Sequence, residues 1–339
     1  MAELPGLDLD ALTAWLDADS PGLRQGNLAG EVIAGGKSNL TYRVTDGRST
    51  WALRRPPLAH VLPTAHDMVR EFTVISALAS TAVPVARPVT LCADPEVLGA
   101  PFYLMDFVDG VVLDRPDIIG AVDAPTARRV CEQLMDTLVT LHAVDPESVH
   151  LNDFGRPEGF LARQVRRWYG QWQASQTEPR SALDAVVARL NDTLPPQSEP
   201  GIVHGDYRLT NVMFRPDLEG IAAVVDWEMA TLGDPLTDVG LLVVYQTLSA
   251  GDDFVMPRMS PDDGFLTPEQ MVGRYAAGSQ RDLAHLAWYV AFGYFKLAVV
   301  AEGIHHRFLK GKTVGAGFDH FGAAVPMLLD AALTALADR

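Results

Sequence analysis

The stretch from Gly201 to Glu228, GIVHGDYRLTNVMFRPDLEGIAAVVDWE, sets three oxygen-bearing side chains in order. Asp206 follows a His-Gly pair, Asn211 stands five positions later, and Asp226 ends an apolar run. Phosphoryl transfer to a hydroxyl asks for little covalent chemistry and much positioning, with a carboxylate taking the hydroxyl's proton as the new bond forms. Asp206 suits that base, because it leaves the apolar run Gly201-Ile202-Val203 on a loop. Asn211 offers a neutral amide oxygen and Asp226 a carboxylate, the hard ligands that magnesium prefers while keeping waters and phosphate oxygens for its other positions. Any one of these residues alone reads as a polar turn, since Asp beside Gly is common there. The ordered set HGD-x4-N, an apolar run and then D-W-E carries the chemical reading. His204 is expected to pack beneath the loop and hold Asp206 by a hydrogen bond. Asp234 and Asp238 read as helix-capping and loop-bracing groups, and an approach of Glu228 to the metal is left open.

The elements that must position these residues fall into two halves. Between residues 28 and 107, EVIAG, LTYRVT and STWALRR alternate as strands do, with a hairpin turn at Asp46-Gly47. MVREFTVISALAS spaces Val69, Phe72, Ile75 and Ala79 as one face of a helix. PVTLCAD and PFYLMDFV, set off by Pro84 and Pro88, read as two more strands. From about residue 124 helices take over. One carries Val130, Leu134, Leu138 and Leu141 on a single face, and Asp234-Pro235 caps another. Three further helices are expected near 267–279, 282–302 and 318–337. The pattern is α+β, with a small antiparallel-sheet N-terminal lobe over 1–107 and a larger helical C-terminal lobe over 108–339. A cleft between the two is the natural place for a ligand.

Composition narrows the class. The chain has 339 residues, 48% of them hydrophobic and 21% charged, and a formal net charge of −16. Such acidity argues against a nucleic-acid partner, which attracts stripes of Lys and Arg. Cys92 and Cys131 are the two cysteines. They have no ligand-like spacing, so neither zinc nor a disulfide framework is indicated and a reducing cytoplasm fits. The N-terminal segment is acidic and lacks the basic and apolar regions of a signal peptide. Instead Leu9, Leu12, Trp15 and Leu16 mark a short amphipathic helix. The longest apolar run, around residues 283–303, is interrupted by His285 and Lys296. It reads as a buried helix rather than a membrane span.

With these motifs in place, the chain resembles the aminoglycoside phosphotransferase and choline kinase-like family, which shares the protein-kinase fold. Its nearest resemblance is to the branch also found fused to acyl-CoA dehydrogenases. The likeness runs from about residue 28 to the last helices and implies a bilobal protein-kinase-like fold. It implies Asp206 as catalytic base, Asn211 and Asp226 as magnesium ligands, and ATP, or alternatively GTP, as phosphoryl donor. A phosphate-covering loop falls at Ile33–Asn39, with Gly36, Ser38 and Asn39 as nucleotide contacts, although a Gly-Gly turn between strands is also ordinary. Trp51-Ala52-Leu53-Arg54 resembles the kinase VAIK run, with Arg54 where the family usually has Lys and Glu71 as its partner on the helix. Arg55 competes for that role. Phe102–Gly110 resembles the strand leading to the hinge, where Met105 backs an adenine and the backbone of Asp106 and Val108 binds it.

The expected partner is a small-molecule hydroxyl acceptor, with neither nucleic acid nor membrane. The expected activity is phosphotransfer to an alcohol group of a metabolite or antibiotic in the cytoplasm. A nucleotide-binding pseudokinase that scaffolds a partner is the alternative; it would show loss of Asp206, Asn211 or Asp226, and all three are present. A metal-dependent hydrolase would want a further cluster of His or carboxylate ligands. Acceptor recognition falls to two helices. One carries Arg163, Arg166, Arg167, Trp168 and Tyr169, to bind an anionic or coenzyme A-like group or to form a solvated basic face. The other carries Trp288, Tyr289, Tyr294, Phe295 and Lys296, as an apolar pocket wall or a core helix.

Overall fold

The structure, a computed structural model, describes residues 4–33, 39–58, 67–250, 257–311, 318 and 320–337. The chain forms two compact units. One comprises Met1–Val111 and Val212–Ala230, the other Val112–Asn211 and Thr231–Arg339.

The first unit begins with helix α1 (Leu9–Asp19). Asp8 caps it by accepting from the amides of Asp10 (2.9 Å) and Ala11 (3.0 Å). Strands β1 (Ala29–Val32), β2 (Leu40–Thr45) and β3 (Thr50–Arg55) follow, then helix α2 (Met68–Leu78), β4 (Pro88–Cys92), the short helix α3 (Pro95–Leu98) and β5 (Phe102–Asp106). The five strands make one antiparallel sheet in the order β1-β2-β3-β5-β4. Strand alternation sorts its side chains. Tyr42, Val44, Trp51, Leu53, Phe102 and Leu104 join Leu12 and Leu16 of α1 in one core. The opposite face carries Arg54 and Tyr103, which bond to Glu71 on α2.

Helix α2 turns a different face inward from the one its apolar spacing suggests. Met68, Glu71, Val74, Ile75 and Leu78 are buried, whereas Val69 is 42% exposed. A charged partner on the sheet outweighs one more apolar contact. Burying Glu71 against Arg54 rotates the helix, because a buried carboxylate needs its counter-ion.

Beyond the sheet come β6 (Val111–Val112), α4 (Pro116–Ile119), α5 (Ala124–His142), α6 (Phe160–Ser175), α7 (Ser181–Asp192) and β7 (Gly201–Val203). Strands β8 (Val212–Phe214) and β9 (Ile221–Val224) pair antiparallel within the first unit. The chain then continues through β10 (Thr231–Gly233), α8 (Leu236–Ala250), α9 (Pro268–Gly278), α10 (Leu286–Leu309) and α11 (Phe321–Ala335). In the second unit β7 pairs with β10, and α10 packs on α6, α7, α8 and α11. By length and composition α10 can cross a bilayer, but 72% of its apolar window is buried inside the protein. It runs seven residues past the expected end near 302, closing with His306 and Arg307 in a last turn where cations meet the helix dipole favourably.

Candidate active site

In the first unit one guanidinium organises the polar cluster. Arg54 donates from Nε to Glu71 Oε2 (2.8 Å) and from Nη2 to Asp226 Oδ1 (2.6 Å). Burial opposes the Arg54 charge, but Glu71 and Asp226 more than offset it and hold its pKa above the ordinary value. Glu71, only 1% exposed, also accepts from the Tyr103 hydroxyl (3.0 Å) and from Asn39 Nδ2 (3.1 Å). Asn39 reaches Glu228 Oε2 as well (3.3 Å). Asp226, 30% exposed, stands in the left-handed region at φ 68°. That conformation costs an L-residue about 1–2 kcal/mol, and such strain concentrates at working sites. Arg55 points to the other face of β3, where Nη1 donates to the carbonyls of Gly6 and Leu98. Of the two competing arginines, the cluster with Glu71 and Asp226 belongs to Arg54.

In the second unit the His204-Gly205-Asp206 turn is held at backbone and side chain alike. The amides of His204 (2.7 Å) and Gly205 (2.8 Å) donate to the two carboxylate oxygens of Asp238, and the Asp206 amide donates to His204 Nδ1 (3.2 Å). His204 thus braces the backbone of Asp206. Lys296 Nζ donates to the Gly205 carbonyl and lies 5.2 Å from the centre of the Trp168 ring. Burial lowers the Lys296 pKa, against the pull of Asp206 and Asp238. Gly205 takes φ 87°, a conformation that glycine adopts without strain.

The Asp206 carboxylate, 22% exposed, is gripped at both oxygens. Oδ1 accepts from the Tyr245 hydroxyl (2.5 Å) and Oδ2 from Asn211 Nδ2 (2.9 Å), with Arg208 Nε 3.5 Å from Oδ2. Behind the turn, His142 Nε2 lies 3.4 Å from Asp238 Oδ2 and its Nδ1 lies 2.8 Å from the Tyr275 hydroxyl. Burial lowers the His142 pKa. Asp238 is also held below the ordinary carboxylate value, because His142 and His204 outweigh the effect of its own burial.

Residues 29–287 match the model of the phosphotransferase enzyme family. The chain belongs to that family. It is a phosphotransferase with an alcohol group as acceptor, and it carries the family's α+β, kinase-like architecture. Mouse acyl-CoA dehydrogenase family member 11 is 32% identical over 320 residues, covering 90% of this phosphotransferase but 40% of the mouse protein. The chain therefore spans about two fifths of that relative's length. A crystal structure from Ralstonia eutropha, of a protein to which aminoglycoside phosphotransfer is ascribed, superposes with a TM-score of 0.85 at 29% identity. It covers 97% of this chain and 98% of the other. A thermostable variant of aminoglycoside phosphotransferase APH(4)-Ia, in ternary complex with AMP-PNP and hygromycin B, shares the fold at a TM-score of 0.61 and 15% identity. That match covers 97% of this chain and 99% of the other.

The residues expected to grip a nucleotide in this phosphotransferase divide as follows. Gly36 and Ser38 lie outside the described residues. Asn39 is buried, and its amide spans two carboxylates. Met105 and Asp106 close β5, where the Asp106 amide donates to the Arg87 carbonyl (2.8 Å) and Arg87 forks onto the Asp106 carboxylate (2.6 and 2.8 Å). Val108 follows two residues on, half-buried. Of the acceptor-binding candidates, Arg163 donates to the carbonyls of Arg156 and Glu158 at the start of α6, while Arg166 and Arg167 are exposed. Trp288, Tyr289 and Phe295 are core. Trp288 donates to the Leu190 carbonyl (3.0 Å) and Tyr289 to Asp234 Oδ2 (2.7 Å). Sequence reading missed Tyr245. Its signal was present, because Tyr245 stands seven residues after Asp238 on the same helix, and that spacing puts both on one face.

Proposed function

We propose that this phosphotransferase moves the γ-phosphoryl group of ATP, or alternatively GTP, to the hydroxyl of a small molecule, with Asp206 as base. The observation that carries this reading is the Asp206 carboxylate, partly open to solvent yet held at both oxygens by Tyr245 and Asn211. As the acceptor oxygen bonds to phosphorus, its proton passes to Asp206 and the bond to the nucleoside diphosphate breaks. Arg54, kept charged by Glu71, is the cation for the nucleotide's phosphates. The Asp106 amide is already engaged, so its carbonyl is the group that meets an adenine, with Met105 behind the base and Val108 beyond it. Asn39 acts by bracing the strand that follows the phosphate loop.

The donor set suits magnesium. In the second unit Asn211 spends its nitrogen on Asp206 and keeps its amide oxygen, and in the first unit Asp226 spends Oδ1 on Arg54 and keeps Oδ2, each a donor of the type magnesium takes. When bound, magnesium offsets the charge of the phosphates. We read the acceptor as a hydroxylated metabolite bearing an acyl or carboxylate group. Arg166 and Arg167 are exposed on α6, Arg208 and Lys296 flank the Asp206 turn, and the longer relatives are named for acyl-CoA dehydrogenation.

The test is ATP consumption with magnesium across aminoglycosides, macrolides, choline-like amines, hydroxyacids and hydroxyacyl-CoAs, with product mass measured. Asp206→Ala is expected to lower acceptor-dependent turnover by at least about 100-fold. Undiminished turnover in that variant, or no nucleotide binding by the wild type, sinks the reading.

A further inference from the structure

We propose that Tyr245 is a positioning residue for the phosphoryl-transfer base, holding the Asp206 carboxylate in one plane for the acceptor. The proposal rests on the reading of Asp206 as that base. A carboxylate turns broadly and almost two-fold about its last torsion. A base that spins presents its lone pair to the acceptor only part of the time, and proton transfer is sensitive to that geometry. Asn211 restrains Oδ2, but its amide also binds the Asp206 carbonyl (2.9 Å), so it belongs to the same turn and moves with it. Tyr245 ties Oδ1 to a different element.

That element is α8, and it grips the turn twice. Asp238 accepts from the amides of His204 and Gly205 and sets the backbone. Two helical turns later Tyr245 reaches the carboxylate itself at 2.5 Å. Burial first, and then the charge of Asp206, keep the Tyr245 phenol well above its ordinary pKa, so it serves as an O–H donor. Its ring lies under the Arg208 guanidinium, 5.0 Å from the ring centre, which holds Arg208 beside Oδ2. Each carboxylate oxygen has about two acceptor sites, so one donor on each leaves room for the acceptor's proton.

Tyr245→Phe keeps the ring under Arg208 and removes the hydroxyl alone. The full chain is given magnesium ATP as sole substrate, so that water is the acceptor, and labelled phosphate release is followed against ATP concentration. The expected result is a kcat lower by about 10- to 50-fold, with KM for ATP within about twofold and an unchanged melting temperature. A purely packing role for the hydroxyl moves the melting temperature and leaves that split absent. A kcat within about twofold of wild type, a loss confined to KM, or a variant that does not fold overturns the proposal. Asp206→Ala is run alongside. If it retains full turnover, the base reading fails, and Tyr245 with it. If it is inactive while Tyr245→Phe is unaffected, only the role of Tyr245 fails.

Discussion

At Arg54 one planar fork serves two acidic partners. Nε meets Glu71 and Nη2 meets Asp226, two carboxylates served in fixed directions by one side chain. A lysine ammonium is a point charge on a flexible stem and cannot reproduce both. Because Glu71 is buried, removing the guanidinium strands a carboxylate away from water. Arg54→Met is expected to lose about 3 kcal/mol of stability in urea unfolding; a loss under about 1 kcal/mol would show that Glu71 finds another partner. The pairing was readable in part. Arg54 and Glu71 stand seventeen residues apart on a strand and the following helix. The choice of Arg54 over Arg55 was not readable, since adjacent strand residues face opposite ways and only the packed helix shows which side carries the carboxylate.

Helix α8 does more than support the core. Asp234 Oδ1 accepts from the Leu236 amide (3.1 Å) at its start, and its polar face carries Asp238 and Tyr245 to the Asp206 turn. Its distance from α10 is set by glycine. A Cβ on Gly240 would lie 2.4 Å from the carbonyl carbon of Tyr289 and 2.5 Å from its oxygen. Gly240→Ala must push the two helices apart, at an expected cost of about 2 kcal/mol. Urea unfolding checks this, and unchanged stability would contradict the close crossing. The expected helices near 267–279, 282–302 and 318–337 are present, because long apolar periodicity survives any tertiary context. Their exact faces do not. For α2, the ion pair of Glu71 overrode the apolar stripe.

Taken whole, the chain carries a net charge of −16, yet its Asp206 turn is flanked by Arg208 and Lys296. Those two cations stand beside the carboxylates of Asp206 and Asp238, so charge at the turn is paired locally rather than set by the overall balance. Global stability should also respond to pH through the buried His142. Its folded pKa lies below the ordinary 6.5, so the unfolded chain binds the proton more readily. Stability is therefore full above about pH 6.5 and falls as pH drops below it. Melting temperatures between pH 7 and pH 5 read this directly. His142→Gln should flatten the profile, and an identical slope in that variant would assign the effect to other groups. Asp238, held low by His142 and His204, adds a further loss only in stronger acid, below its ordinary 3.8.

By itself the sequence determined the reaction class and the architecture. Asp206, Asn211 and Asp226 lie within a short segment, where spacing alone limits what the residues can do together. Strand alternation and helical periodicity are likewise local properties. Only the tertiary structure decided how the Asp206 carboxylate is held. Tyr245 is 39 residues from Asp206, Lys296 is 91 from Gly205, and Asp226 is 172 from Arg54. Contacts at such separations depend on how faces pack, and no local spacing encodes that. The grip of α8 on both the backbone and the carboxylate of the Asp206 turn is accordingly a property of the fold.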